Sequence, residues 1–348
     1  MRDRAHKKSQ RPVWVRAGQA CILLTVASLG AEAADAPRLS LPLDCEPGRT
    51  CFVQNYVDVD PGPGVQDFAC GKATYDGHDG VDFRVPSWRT DLAGTKVLAA
   101  APGVVRGRRD GMPDRLLRDY GSTTPRSVLA GKECGNGLVI DHGNGWETQY
   151  CHMKRGSVAV TGGEKVERGT TLGEVGVSGQ ADFAHLHLSV RHNGKAIDPF
   201  TTSAQNGTCM SRPTTAIGLW DEPTAAALAH RTGQIIVAGI AGVQPDHNAI
   251  ERGTLPAPLA PTSAAVVVFA MVMNIVDGDQ VRLRLHGPQG EIVARTAEPS
   301  EKTRATRIEF AGKRLNSERW PTGRYTATAE VIRGGTVVES ASETVDLR

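Results

Sequence analysis

Two short segments constrain this chain more than any other feature: Gly77-His78-Asp79-Gly80-Val81-Asp82 and, much later, Ala184-His185-Leu186-His187-Leu188-Ser189-Val190. Residues two apart on a strand point to the same side, so His185 and His187 face together while Leu186, Leu188 and Val190 enter a core. Val81, Phe83 and Val85 alternate with Asp82 and Arg84, which sets Asp82 on the face opposite the apolar side chains. His78 and Asp82 share a face in extended geometry, and Gly77 and Gly80 argue against a helix there. The fold must therefore bring two distant strands together with their polar faces converging.

Three imidazoles and a carboxylate gathered in this way read as one zinc site. Imidazole nitrogen and carboxylate oxygen bind zinc at about 2.0 to 2.2 Å, and three protein ligands leave a fourth position open for water. Zinc lowers the pKa of that water and polarises a carbonyl oxygen. A general base is still needed, and there is no His-Glu-x-x-His helix to supply a glutamate. The candidates are His152, at the end of a strand in which Trp146, Thr148, Tyr150 and His152 are expected to share a face, and whichever of His185 and His187 is not a ligand. His142 reads as a satisfied polar residue on a strand, and His192, His230, His247 and His286 as exposed.

Composition narrows the setting. Arg2, Arg4, Lys7, Lys8, Arg11 and Arg16 precede an apolar run from Ala17 to Leu29 and then Ala31-Glu32-Ala33, the pattern of a secretory signal peptide over residues 1–33. Without that leader the 40 Lys and Arg fall by six to 34, and the 38 Asp and Glu fall by two to 36. The basic character belongs to the leader, so a nucleic-acid partner is not expected, nor is a transmembrane segment after cleavage. Of the seven cysteines, Cys45, Cys51, Cys70, Cys134, Cys151 and Cys209 follow the leader, an even number that suggests disulfides in an exported protein. Cys45 is expected to pair with Cys51 across a tight loop. Cys134 with Cys151 is a weaker pairing, because a simple two-residue hairpin turn would put Cys151 opposite Leu138.

Residues 34–73 read as an irregular, cysteine-containing segment. From 74 to 205 the signals are short strands and turns: Val97 to Val105 broken at Pro102-Gly103, a polar insertion from Arg106 to Glu133, and a hairpin turning at Gly143-Asn144-Gly145. Further strands pass Val158, Val166 and Leu172 to Val175, and a hairpin turns at Asn193-Gly194. Residues 201–214 read as a linker. Over 215–348 a short helix at Glu222 to His230 precedes an apolar strand from Ala264 to Val276 and alternating strands at Val281 and Tyr325, with a Gly334-Gly335 turn. These suggest an immunoglobulin-like β-sandwich, expected as a packing or spacer domain, or as a binder of an envelope component or a protein.

His78-x-Gly80-x-Asp82, Ala99 to Gly103, Gly135-Asn136 leading to Ile140 and His142, Tyr150-x-His152 and His185-Leu186-His187 together resemble the M23 family of zinc metallopeptidases, the lysostaphin-like or LytM-type peptidoglycan hydrolases. The resemblance covers about residues 74 to 200. It implies a mainly β chain with a compact antiparallel metallopeptidase domain of duplicated hybrid motif type. One Zn2+ would be held by His78, Asp82 and His187, while His152 and His185 would act on water and the transition state. It also implies a periplasmic or secreted metalloendopeptidase acting on peptidoglycan stems or cross-links, in a narrow groove favouring small residues. The alternative is a non-catalytic regulator of another wall hydrolase. The long insertion, the cysteines and the amino-terminal segment depart from the family core.

Overall fold

The computed structural model describes residues 36–88, 94–121, 125–202, 209, 217–254 and 258–348. The leader and most of the expected linker lie outside the described residues.

Short β-branched runs separated by glycine turns build the first half. Its strands are β1 (Phe52–Asn55), β2 (Val81–Arg84), β3 (Lys96–Leu98), β4 (Gly103–Arg109), β5 (Asn136–Gly143), β6 (Trp146–Met153), β7 (Lys165–Val166), β8 (Thr171–Glu174), β9 (His185–His192) and β10 (Lys195–Ile197). All but β3 and β8 join one sheet in the order β1-β2-β9-β6-β5-β4-β7, with β10 beside β9, and β3 pairs with β8. Every pairing in the large sheet is antiparallel. Val81, Phe83, Leu186, Leu188 and Tyr150 are buried on one face in a single core with Val97, Ala99 and Leu172. The opposite face carries the histidines.

Structure differs from expectation at several points. The amino-terminal segment is not merely irregular, since β1 extends the sheet beside β2. The insertion begins later than Arg106, because β4 continues to Arg109; it then contains a 3-10 turn at Leu117–Tyr120 and a short helix, α1 (Pro125–Leu129). His192 and His230 are half-buried, the first stacked on Trp146 at 4.3 Å and the second on Tyr56 at 5.0 Å. Disulfides join Cys45 to Cys51 and Cys134 to Cys151 as expected, and Cys70 to Cys209, a pairing across 139 residues.

Beyond α2 (Glu222–Ala227), whose Asp221 cap accepts from Thr224 N, come β11 (Gln234–Ala241), α3 (His247–Glu251), β12 (Ala265–Ile275), β13 (Gln280–Gly287), β14 (Gly290–Thr296), β15 (Arg304–Arg314), β16 (Gly323–Arg333) and β17 (Thr336–Leu347). They form two sheets, β11-β12-β15 and β14-β13-β16-β17, which enclose Val266, Val268, Leu283, Leu285, Tyr325 and Val331. At the start of β16 the Tyr325 hydroxyl donates to the Pro321 carbonyl at 2.8 Å.

Alternation along β12 gives it two apolar faces. Phe269, Met271 and Met273 point away from the sandwich interior and pack with Phe52 of β1, Ile236 and Ile250. Each such side chain contributes about 1.5–3 kcal/mol when fully buried, so the sandwich rests on the first half along an apolar seam. A buried ion pair reinforces it: Arg84 Nη2 donates to Glu251 Oε2 at 2.5 Å and Nη1 to Gln54 Oε1 at 2.6 Å. Arg84 also lies over the Phe183 ring, 4.8 Å from its centroid. Replacing Glu251 by Ala leaves Arg84 as an uncompensated buried charge, and urea denaturation should report a loss of about 3–5 kcal/mol. A loss near zero would mean that water reaches the guanidinium.

Candidate active site

In the pairing of β2 with β9, Asp82 stands opposite His187 and Arg84 opposite His185. His78 enters from the turn before β2. Asp58 holds that turn: its carboxylate accepts from Gly77 N at 3.0 Å, and its own N–H donates to the His78 carbonyl at 2.9 Å. Gly80 tolerates no side chain, because a Cβ there would lie 2.6 Å from His187 Nε2 and 2.7 Å from the Leu188 carbonyl oxygen. This glycine lets the turn close over the histidine.

Three ligand-type atoms meet at the centre. His78 Nε2 is 3.2 Å from Asp82 Oδ1 and 3.1 Å from His187 Nδ1, which is 2.9 Å from Asp82 Oδ1. The outer ring nitrogens fix the tautomers: His78 Nδ1 donates to the Tyr56 carbonyl at 2.6 Å, and His187 Nε2 lies 2.9 Å from the Ser189 hydroxyl and 3.3 Å from Asp79 Oδ1. In its neutral form each of these two rings turns a lone pair inward. Two lone pairs and a carboxylate oxygen this close repel one another unless a proton or cation lies among them. Tetrahedral zinc, with bonds of about 2.0 to 2.2 Å, separates its ligand atoms by about 3.3 to 3.6 Å, and the observed triangle, with edges of 2.9 to 3.2 Å, reaches that by opening a few tenths of an ångström. Asn55 Nδ2 donates to Asp82 Oδ2 at 2.8 Å, leaving Oδ1 to face the centre.

Electrostatics agree with a cation there. Burial pushes the Asp82 carboxyl up, but the facing His78 and His185 imidazoles and hydrogen bonds from His187 and His78 hold it well below the usual carboxylate range. Burial pushes His187 down, yet its contacts with Asp79 and Asp82 prevail and raise it to about 9. The pocket thus holds a positive charge against Asp82, a place a metal can take from the proton.

His152 reaches the same site by a break in the strand. Cys151 stands opposite His187, and His152 then adopts a left-handed φ of 62°, so it leaves the face of Tyr150. The Tyr150 ring is buried in the core, its hydroxyl accepting from Ala100 N at 2.9 Å. The shared face expected from Trp146 to His152 is therefore corrected: left-handed backbone at the last residue reverses the alternation. His152 N donates to the Cys134 carbonyl at 2.8 Å, and the Cys134–Cys151 disulfide pins the same corner. A register shift between Asp141 and Gly143 puts Tyr150 opposite Leu138, and a second between Asn136 and Leu138 sets Asn136 opposite Met153, which makes this disulfide compatible with the hairpin.

His152 Nδ1 donates to the Ser178 carbonyl and His185 Nδ1 to the Phe183 carbonyl, each at 2.8 Å. Both rings keep Nε2 as the lone-pair nitrogen. His185 Nε2 lies 3.5 Å from Asp82 Oδ1, and the two ring centroids are 4.6 Å apart. Burial, then the neighbouring His185 and His187, hold His152 well below the ordinary histidine value; burial likewise lowers His185. The site can therefore present a cation-binding triangle beside two neutral bases.

The structure brings His78, Asp82, His187, His152 and His185 together. His142 turns elsewhere, to the Pro102 carbonyl at 2.6 Å and the Thr148 hydroxyl at 2.8 Å. Asn55, Tyr56, Asp79 and Ser178 were not anticipated. Asp79 lies inside the motif and was within reach of sequence reasoning, whereas the others act through tertiary contacts. Asn55→Ala should lower metal affinity about 10–100-fold in competition with a chelating dye; unchanged affinity would mean that Asp82 is oriented without it.

Residues 76–199 match the family model for Peptidase family M23. The chain is 30% identical over 128 residues to the DD-carboxypeptidase/endopeptidase Mpg of Neisseria meningitidis serogroup B, covering 36% of this chain and 23% of that protein. It is 37% identical over 124 residues to the peptidoglycan DD-endopeptidase ShyC of Vibrio cholerae, covering 36% and 22%. The chain thus spans about a quarter of the length of these curated relatives. The catalytic domain of lysostaphin from Staphylococcus simulans aligns with 20% identity and a TM-score of 0.28, over 42% of this chain and 87% of that one. All five converging residues fall inside the matched segment, while Asn55, Tyr56 and Glu251 lie outside it. The likeness to Peptidase family M23 thus spans residues 76–199 of this chain.

Proposed function

We propose that the chain is an exported zinc metalloendopeptidase that hydrolyses peptide bonds in peptidoglycan stems or cross-links. The observation that carries this reading is the inward convergence of His78 Nε2, Asp82 Oδ1 and His187 Nδ1, with edges of 2.9 to 3.2 Å, beside two buried imidazoles. Relatives whose names include peptidoglycan DD-endopeptidase support the substrate class. The disulfides and the leader pattern support export.

In this reading His78, Asp82 and His187 hold one zinc ion, which when bound supplies a Lewis acid for the scissile carbonyl and for water. His152, tethered through Nδ1 to the Ser178 carbonyl, takes the proton of the attacking water at Nε2. The resulting imidazolium gives that proton to the leaving amine as the C–N bond breaks, which returns His152 to its neutral state. His185, oriented by the Phe183 carbonyl and with Nε2 3.5 Å from Asp82 Oδ1, stabilises the oxygen on which negative charge develops when its Nε2 carries a proton, as the imidazolium. Tyr75 and Gln180 line the groove beside them.

Digestion of purified sacculi by the leader-free chain tests the reading. Zinc-dependent, chelator-sensitive release of cut stems or cross-links is expected; intact sacculi despite bound zinc would favour the non-catalytic regulator. His152→Ala should keep its metal and lose about 10²–10⁴-fold in turnover, and retained turnover would remove His152 from the base role. Because His152 is held below the ordinary value of 6.5, its neutral, proton-accepting form persists as pH falls through 6.5. The acid limb of kcat/KM should therefore lie below that pH, and a limb above it would contradict the assignment.

A further inference from the structure

The cavity over the site continues well beyond the family domain. On one side of His152 a hollow of about 320 Å³ is lined by Gln149, Ser189 and Arg191, all from the large sheet. On the other side a hollow of about 690 Å³ runs past Asp82 and His185 to His247, Glu251, Ala305 and Thr306. Tyr75, His152 and Gln180 line both, so the two are halves of one groove crossing the site. The larger half takes its far wall from α3 and the start of β15.

That wall is fixed in place. Glu251 is locked to Arg84, its backbone carbonyl accepts from Trp88 N at 2.8 Å, and Asn274 Nδ2 of β12 donates to the Gln54 carbonyl at 2.8 Å. The insertion closes the same side: Arg118 donates to Asn248 Oδ1 at 2.8 Å, and Arg252 donates to both oxygens of Asp119 at 2.5 and 2.6 Å. Phe183 and Leu117 add apolar surface, while Gln180, His247 and Thr306 offer donors and acceptors. A hollow of this size and mixed lining encloses a ligand of several residues, oriented by a few polar groups.

We infer that the carboxy-terminal sandwich is a working part of the substrate site: with α3 it forms a subsite that takes the longer, polar arm of a peptide cleaved at the metal. This rests on the peptidase reading above. The subsite selects for substrate length, because a peptide ending close to the scissile bond never reaches Ala305 or Thr306.

The test uses the zinc-loaded, leader-free chain and two fluorogenic peptides sharing the scissile pair found in the sacculus digest. One ends a single residue beyond that pair on each side, and the other is extended by about three residues each way, the scale of the hollow. Ala305 is exposed, so Ala305→Trp should fill the groove and leave thermal unfolding unchanged, with Ala305→Ser as the conservative control. Ala305→Trp is expected to lower kcat/KM on the long peptide by about tenfold or more and to keep the short one within about twofold, with Ala305→Ser near wild type on both. Equal rates on the long peptide, or an equal fall on both, would overturn the subsite. If the wild-type chain cleaves neither peptide nor sacculi, the peptidase reading fails and the subsite falls with it.

Discussion

The register of β2 against β9 is the constraint on which everything at this site depends. With Asp82 opposite His187, one face of the pair is apolar and buried in the core, and the other gathers the histidines. A slip of one residue would send Val81 and Leu188 outward and Asp82 and His187 inward. The buried cost of Val81, Phe83, Leu186 and Leu188 therefore protects the geometry of the polar face. Folding and chemistry are specified by the same alternation.

Each site histidine obeys a common rule. One ring nitrogen is tied to an acceptor outside the centre, and the other is left with its lone pair: Tyr56 serves His78, Ser178 serves His152, Phe183 serves His185, and Asp79 with Ser189 serves His187. Backbone carbonyls do most of this work, and a carbonyl's direction belongs to the fold and not to any residue type. Burial then keeps His152 and His185 neutral. Asp82 supplies the negative charge that makes a buried cation tolerable, because a charge taken out of water needs a partner close by.

The convergence of these five residues was legible in the sequence because period-two alternation and two short motifs report which side chains share a face. His152 was found, but its route was misread, since nothing local announces a left-handed residue after Cys151. Glycine commonly marks such a position, and a histidine there is held by its surroundings. Asn55 and Tyr56 were hidden in a segment rich in Pro, Gly and Asp, where β1 spans only Phe52–Asn55. Cys70–Cys209 and Arg84–Glu251 join residues 139 and 167 apart, distances over which periodicity carries no information. The second apolar face of β12 was the one available sign that the sandwich packs on something, and an unbroken apolar run reads the same way in any fully buried strand.

The central claim is that His78, Asp82 and His187 form a zinc site of nitrogen and oxygen ligands. Zinc-edge X-ray absorption on the full chain loaded with one equivalent tests it most directly. The account predicts light-atom scattering at about 2.0 to 2.2 Å with the outer-shell signature of two imidazoles, and loss of that signature in His187→Ala. Sulfur scattering near 2.3 Å, or an unchanged spectrum in His187→Ala, would place the metal elsewhere and contradict it.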